Sequence, residues 1–161
     1  MGQLGAGEKA IDFCLPDDQE QDVCLKDFRG QWIILYFYPK DNTPGCSLEA
    51  MDFSRLKSEF EQENTVILGV SKDSCKSHQD FIDKKRLTIK LLSDPDADTH
   101  KKYGVWRPKK FLGREFLGTV RSTFLIDPKG KISKTWLKVK VKGHAEEVLN
   151  EVKKLNKEPV K

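Results

Sequence analysis

Cys46 ends the octapeptide P-K-D-N-T-P-G-C, residues 39–46, which follows the apolar run W-I-I-L-Y-F-Y and opens a long amphipathic stretch. Proline fits the first position of a helix, where its missing N–H costs nothing. Thr43 is therefore read as the N-cap, with Pro44, Gly45 and Cys46 as the first three helical residues. The leading N–H groups of a helix have no partner within it, and the aligned peptide dipoles concentrate positive charge there. A thiolate is favoured at that point, and the thiolate is the nucleophilic form of cysteine. The Thr43 hydroxyl is expected to donate to the sulfur or to a substrate oxygen. Ionisation alone does not make a fast nucleophile. A free thiol is already about 3% ionised at pH 7, so complete ionisation gains only about 30-fold, or about 2 kcal/mol of barrier. Faster chemistry needs a fixed cation facing the charge that develops on the leaving group. Arg121 is the candidate: it heads R-S-T-F-L-I-D beside Val120, Phe124 and Leu125, and an arginine next to a core strand usually has a specific anionic partner. The residues alone leave two alternatives, Cys46 as a small buried hydrophobe and Arg121 as one half of a structural ion pair.

The elements that must position these groups alternate between strand and helix. Short strands at 13–15 and 23–25 flank the turn-rich P-D-D-Q-E-Q-D and form a hairpin. The run 32–38 reads as a strand buried on both faces, as in a parallel sheet, and 65–70 as a second. A helix over 44–60 joins them, with Phe53, Leu56 and Phe60 on one face. A helix over 75–84 follows, capped by Asp73 or Ser74, then a strand at 90–92 and a helix at 97–103, with Asp94-Pro95-Asp96 as turn and cap. Strands at 122–127 and 131–137 flank D-P-K-G, and a last helix covers 144–155. The expected architecture is one α/β domain over 1–161 with a central mixed sheet, and a frayed tail from about 156.

Composition excludes several classes. Lys+Arg 29 against Asp+Glu 25 leaves +4, too little to imply nucleic acid without a clustered patch. The period-two stretch K-V-K-V-K at 138–142 is read as a strand with one solvated face, or alternatively as a patch for an anionic partner. Mean hydropathy is −0.60 and no apolar run is long enough to span a membrane. The opening M-G-Q-L-G-A-G-E-K-A lacks the apolar core of a secretory signal, so a cytoplasmic, reducing location is expected, where cysteines are more often reactive or inert than paired.

The octapeptide resembles the peroxidatic motif of peroxiredoxins, Pro-x-x-x-Thr-x-x-Cys, and in detail the bacterioferritin comigratory protein group, also called PrxQ. The likeness extends through L-K-D-F-R-G-Q-W, G-V-S-K-D-S-C-K-S-H, L-L-S-D-P, Y-G-V-W, R-S-T-F-L-I-D and V-K-G-H-A-E-E-V-L. It implies a thioredoxin-like three-layer fold with an N-terminal β-hairpin, and a thiol peroxidase of hydrogen peroxide and small organic hydroperoxides. Cys46 is then the peroxidatic nucleophile, Thr43 and Arg121 hold and polarise the peroxide, and Pro39 shields the site. Cys46 becomes a sulfenic acid, re-reduced by a thioredoxin-like protein or another thiol. No metal, haem or flavin is implied. The group is often monomeric, and a monomer is expected.

The chain departs from the group at Met51, where many relatives carry a resolving cysteine five residues after the nucleophile. Cys75 opens the next helix and is either the resolving thiol or a partly exposed bystander. Cys14 and Cys24 are expected to face outward as cross-strand neighbours on the hairpin, and to be oxidation-prone thiols rather than catalysts. Without an internal resolver the enzyme has one working cysteine and needs an outside thiol. Gly45 and Glu49 are read as polar or backbone neighbours of the nucleophile. His78, His100 and His144 show no metal-ligand spacing, and Trp106 with R-P-K-K at 107–110 is read as a solvated loop, or alternatively as a contact for a partner. A thioredoxin-type oxidoreductase is disfavoured because no C-x-x-C surrounds Cys46. A redox sensor switched by Cys46 oxidation shares the first chemical step and is separated by turnover.

Overall fold

The computed structural model describes residues 4–157. Its centre is a five-stranded sheet in the order β5-β4-β3-β8-β9. β3 (Trp32–Phe37), β4 (Thr65–Ser71) and β5 (Lys90–Ser93) run parallel, while β8 (Ser122–Ile126) and β9 (Ile132–Leu137) continue the sheet antiparallel. β3 is central and buried along its whole length, which explains its unbroken apolar sequence. Its side chains divide by period two. Ile34, Tyr36 and Tyr38 join one core cluster, and Ile33, Leu35 and Phe37 the other.

The first cluster lies under α1 (Pro44–Arg55), α2 (Lys57–Gln62), α3 (Cys75–Lys85) and α5 (His144–Lys157), through Phe53, Phe60, Phe81 and Val148. The second is covered by the hairpin of β1 (Cys14–Pro16) and β2 (Asp22–Cys24), and by Tyr103 and Val105 just after α4 (Asp98–Lys102). This is the expected three-layer α/β arrangement with a mixed sheet and an N-terminal hairpin.

Several expectations need correction. The helix over 44–60 is two helices: at Leu56 the backbone leaves the helical region (φ −94°, ψ 1°), and the break keeps both Leu56 and Phe60 in the core. The segment R-P-K-K is not a loop but part of β6 (Trp106–Phe111), paired with β7 (Arg114–Thr119) in a separate ribbon. The ribbon turns through Leu112 and Gly113, both at positive φ, and a leucine there hides the turn that an Asn-Gly would have announced. K-V-K-V-K is not a strand. Lys138 takes φ 52°, which ends β9 at Leu137 and sends the lysines into a loop. Asn156 is not frayed: its amide side chain accepts from Trp32 Nε1 at 2.7 Å and donates to the Glu63 carbonyl at 3.0 Å. The remainder of the expected tail, 158–161, lies outside the described residues.

Cys14 and Cys24 are Cα partners across the hairpin and are joined as a disulfide, not left as two thiols. The expected cross-strand neighbourhood holds, and outward-facing partners on a two-stranded ribbon have sulfurs close enough to bond, which a reducing compartment alone would not suggest. Of the two expected caps of α3, Asp73 and Ser74, it is Ser74 whose side chain accepts from the Ser77 N–H at 3.1 Å. Asp94 accepts from the N–H groups of Thr99 and His100 in the first turn of α4.

Gly69 in β4 is required by packing beneath the site. A Cβ there would meet Tyr36 Cζ at 2.8 Å and Leu91 Cδ2 at 2.9 Å. Gly69→Ala is expected to lower the unfolding free energy by about 1–3 kcal/mol, the usual cost of overpacking a core. Equilibrium urea denaturation measures it, and an unchanged midpoint would show that Tyr36 can move aside freely.

Candidate active site

β3 ends at one rim of the sheet, and its chain turns through residues 38–43 into α1. Asn42 takes φ 63° in this turn, a left-handed conformation that asparagine tolerates better than most residues. Thr43 is the N-cap, with extended backbone angles, and its carbonyl accepts the first intrahelical bond from the Ser47 N–H at 2.8 Å. Cys46 occupies the third helical position, as its sequence predicts. The Thr43 hydroxyl, however, donates to the Lys40 carbonyl at 2.9 Å rather than to the sulfur. It braces the loop and leaves its oxygen lone pairs able to accept. Pro39 is exposed where the loop begins.

The Cys46 side chain is 2% exposed and belongs to the core cluster with Tyr36, Ala50 and Phe53. It is nevertheless not surrounded only by carbon. Arg121, from the residue before β8, donates from Nη2 to Cys46 Sγ at 3.1 Å. Its Nη1 donates to Glu49 Oε1 at 2.6 Å. Glu49 is three residues beyond Cys46, so both project from the same side of α1. One guanidinium thus bridges the sulfur and a carboxylate. Gly45 permits this approach, because a Cβ there would lie 3.3 Å from Arg121 Nη2.

The electrostatics follow from burial. Desolvation raises the Glu49 carboxyl to about 7, and the attraction of Arg121 only partly offsets it. The second oxygen, Oε2, has no hydrogen-bond partner, and neither does the hydroxyl of Tyr36. Burial raises Tyr36 well above the ordinary phenol range, and Glu49 and Cys46 push it the same way. For Arg121 burial opposes the charge, yet Glu49 and the sulfur outweigh it and the guanidinium is held more firmly protonated than usual.

The structure adds a buried polar cluster beneath the loop that no local pattern announces. Asp41 accepts from Tyr38 Oη at 2.7 Å and from Ser77 Oγ at 2.8 Å, and it pairs with His78 Nδ1 at 2.7 Å. The Asp41 N–H donates to Asp73 at 2.8 Å, and His78 Nε2 meets the Leu92 carbonyl at 2.9 Å. The 38–43 loop is thereby tied to α3 and β5. The only sequence hint was an acidic residue between a buried strand and a helix, since His78 lies 37 positions away. His78 therefore has a structural partner, and His100 pairs with Asp94 at 2.6 Å. Among the described residues no cluster of three or more metal-ligating side chains occurs, and no helix is long and apolar enough to cross a membrane.

Cys75 is the first residue of α3 and is partly buried. Burial and the acids Glu20, Asp17 and Asp18 raise its thiol above the ordinary range. Met51 stands 46% exposed on α1.

Residues 6–135 match the model of the AhpC/TSA family. The chain is 46% identical over 149 residues to a putative peroxiredoxin bcp of Helicobacter pylori, covering 92% of this chain and 98% of that protein. It is 45% identical over 150 residues to peroxiredoxin Bcp of Bacillus subtilis, covering 93% and 96%. Among solved structures, peroxiredoxin Q of Xanthomonas campestris superposes with a TM-score of 0.89 at 40% identity, covering 94% of this chain and 99% of that one. A mutant of PrxQ from Xylella fastidiosa gives 0.91 at 42%, covering 96% and 99%. A nucleophile-bearing helix start, a thioredoxin-like sheet and these likenesses agree, and the chain belongs to the AhpC/TSA family of peroxiredoxins, in the bacterioferritin comigratory protein (PrxQ) group.

Proposed function

We propose that this chain is a thiol peroxidase that reduces hydrogen peroxide and small organic hydroperoxides at Cys46. The observation that carries the reading is the contact of Arg121 Nη2 with Cys46 Sγ at 3.1 Å, at the amino end of a helix. A structure of the Xanthomonas campestris bacterioferritin comigratory protein is described in terms of alkyl peroxide reduction, which supports the same substrate class here.

The Cys46 thiolate attacks the terminal oxygen of R–O–O–H. An S–O bond forms, the O–O bond breaks, and RO⁻ leaves to take a proton and become ROH. Cys46 is oxidised to the sulfenic acid and the peroxide is reduced. Arg121 and the free N–H groups of the first turn of α1 face the oxygen on which charge develops, so their attraction grows along the reaction. The Thr43 hydroxyl accepts from the peroxide O–H, and Pro39 limits access from solvent. Glu49 is a positioning residue: it holds the guanidinium through Nη1 and leaves Nη2 for the sulfur. All these groups come from one chain, which suits a monomer.

An outside thiol, a thioredoxin-like protein or a small molecule, completes the cycle. Cys14 and Cys24 are consumed by each other. Burial, with nearby carboxylates, suppresses the Cys75 thiolate, so it is a secondary candidate for the resolving role.

Cys46→Ser is expected to abolish peroxide consumption, while Cys75→Ser retains turnover with an added thiol. Arg121→Met should slow sulfenic acid formation by about 100- to 1,000-fold, the usual cost of losing one donor to a developing oxyanion. Stopped-flow mixing with peroxide measures the rate, and circular dichroism checks the fold. Activity retained by Cys46→Ser would sink the proposal, and a single turnover without recycling would make the protein a sensor.

Glu49 also makes stability depend on pH. Its carboxyl is raised from 4.5 when unfolded to about 7 when folded. The stability it contributes is full below about 4.5 and is lost as pH rises through about 7. Glu49→Gln, fixed neutral, should therefore gain on the native protein between about pH 5 and pH 8, by about 3 kcal/mol. Urea unfolding across that range measures the gap, and a gap independent of pH would place the Glu49 carboxyl at its ordinary value.

A further inference from the structure

The K-V-K-V-K segment has no part in the peroxide step, yet the fold brings it to the same rim. Phe37, the last residue of β3, pairs with Ser122, and Ser122 pairs with Leu137, the last residue of β9. The loops that leave β3 toward Cys46 and β9 toward α5 therefore emerge side by side. The Val139 N–H donates to the carbonyl of Arg121 at 3.0 Å. The lysine loop thus stands one arginine side chain away from the sulfur.

This loop borders an open cavity of about 510 Å³, lined by Lys138, Lys140 and Lys142 together with Trp136, His144 and Glu147. The three lysines are exposed, and no carboxylate forms a salt bridge with any of them among the described residues. By contrast, Lys134 nearby is paired with Glu151. His144 is buried in the cavity wall, with Nε2 bonded to the Thr123 hydroxyl at 2.8 Å. Arg121, just before β8, and Thr123 within it are two residues apart in extended chain and so fall on the same side, and the wall of the cavity continues into the wall of the Cys46 site. The site around the sulfur is charge-balanced by Glu49, whereas this neighbouring space sets three lysines against the single carboxylate of Glu147, which lies 3.7 Å from His144 Nδ1, and is sized for a small molecule.

We infer that the cavity receives the carboxylate end of a small anionic thiol, the reductant that recycles Cys46. The inference rests on the peroxidase reading above, which requires an outside thiol. With the carboxylates held at Lys138, Lys140 and Lys142, the thiol sulfur is delivered toward Cys46. The first thiol R–SH attacks the sulfenic acid, forming the Cys46–S–S–R bond and releasing the sulfenic oxygen as water. A second R–SH attacks the sulfur of R, forming R–S–S–R and returning Cys46 to the thiol. Two thiols are oxidised for each sulfenic acid reduced. The lysines also attract the thiolate, the form that attacks.

The test uses the full chain oxidised with one equivalent of hydrogen peroxide. Mercaptosuccinate, 2-mercaptoethanol and cysteamine are then added, with decay of the sulfenic acid followed by rapid quenching and mass spectrometry and corrected for thiolate fraction. Mercaptosuccinate is expected to react about tenfold faster than 2-mercaptoethanol, cysteamine slowest, with the advantage fading as salt rises. The triple variant K138Q, K140Q, K142Q should lose the advantage while its rate of oxidation by hydrogen peroxide is unchanged, and Lys140→Glu alone should lose part of it. Rates that follow thiol ionisation alone, or an advantage kept by the triple variant, would overturn the inference. So would a variant that slows only a carboxylate-bearing hydroperoxide, because the cavity would then serve the substrate. Failure to form any sulfenic acid appears in the first step and condemns the peroxidase reading itself.

Discussion

The site depends on one guanidinium shared between a sulfur and a carboxylate inside the protein. A cation, a thiolate and a carboxylate are each costly to remove from water, and an isolated one at this depth would not be tolerated. Arg121 resolves the problem by facing both the sulfur and the carboxylate, at 3.1 Å and 2.6 Å. The two are not equivalent partners. Burial pushes the Glu49 carboxyl to about 7, so near neutrality its charge is partly withdrawn. When Glu49 is protonated, the sulfur is the remaining partner facing the arginine. When it is ionised, the arginine is locked in place with less attraction to spare. The carboxylate is thus a restraint on geometry and a moderator of charge at once.

That arrangement is only as good as the loop preceding it. Residues 38–43 have to deliver Pro44, Gly45 and Cys46 to a helix start while the chain reverses from a buried strand. The Asp41 cluster anchors the loop from beneath, through Tyr38 on β3, Ser77 and His78 on α3, and the Leu92 carbonyl on β5. Thr43 anchors it from within, through the Lys40 carbonyl. Three successive parallel strands and their connections are therefore fastened to one short turn. Rigidity here limits the reorganisation needed when the peroxide oxygen arrives, which is where preorganised donors gain their advantage. It also implies that a buried sulfur must await a thiol able to reach it.

Much of this was legible in the residues. Pro44 after Thr43 specified the helix start, and the apolar run 32–38 specified the central strand, because both are local rules of backbone and period. Arg121 was legible as a cation in need of an anion. Glu49 was named as a neighbour, but its role as the second anion required the guanidinium to be seen between them. The Asp41–His78 pair was not legible, since hydrogen bonds across 37 residues leave no trace in spacing. The K-V-K-V-K strand failed for another reason: alternation is satisfied equally by an extended loop, and Lys138 at positive φ stops the ladder. The Cys14–Cys24 pairing was within reach of the hairpin reading, but the inference from compartment took precedence over geometry.

The two halves of a peroxidase cycle make opposite demands on charge. The first brings a small, neutral peroxide to a dry sulfur, and excess positive charge there would overbind the hydroxide or alkoxide product. Glu49 supplies the counterweight beside Arg121. The second brings in a thiolate, which is charged before it arrives and gains from attraction at a distance. Uncompensated lysines placed at the sulfur would satisfy the second demand at the expense of the first. Placing them on the adjoining rim, behind the backbone of the same arginine, separates the two demands in space while the short stretch from Arg121 to Thr123 borders both.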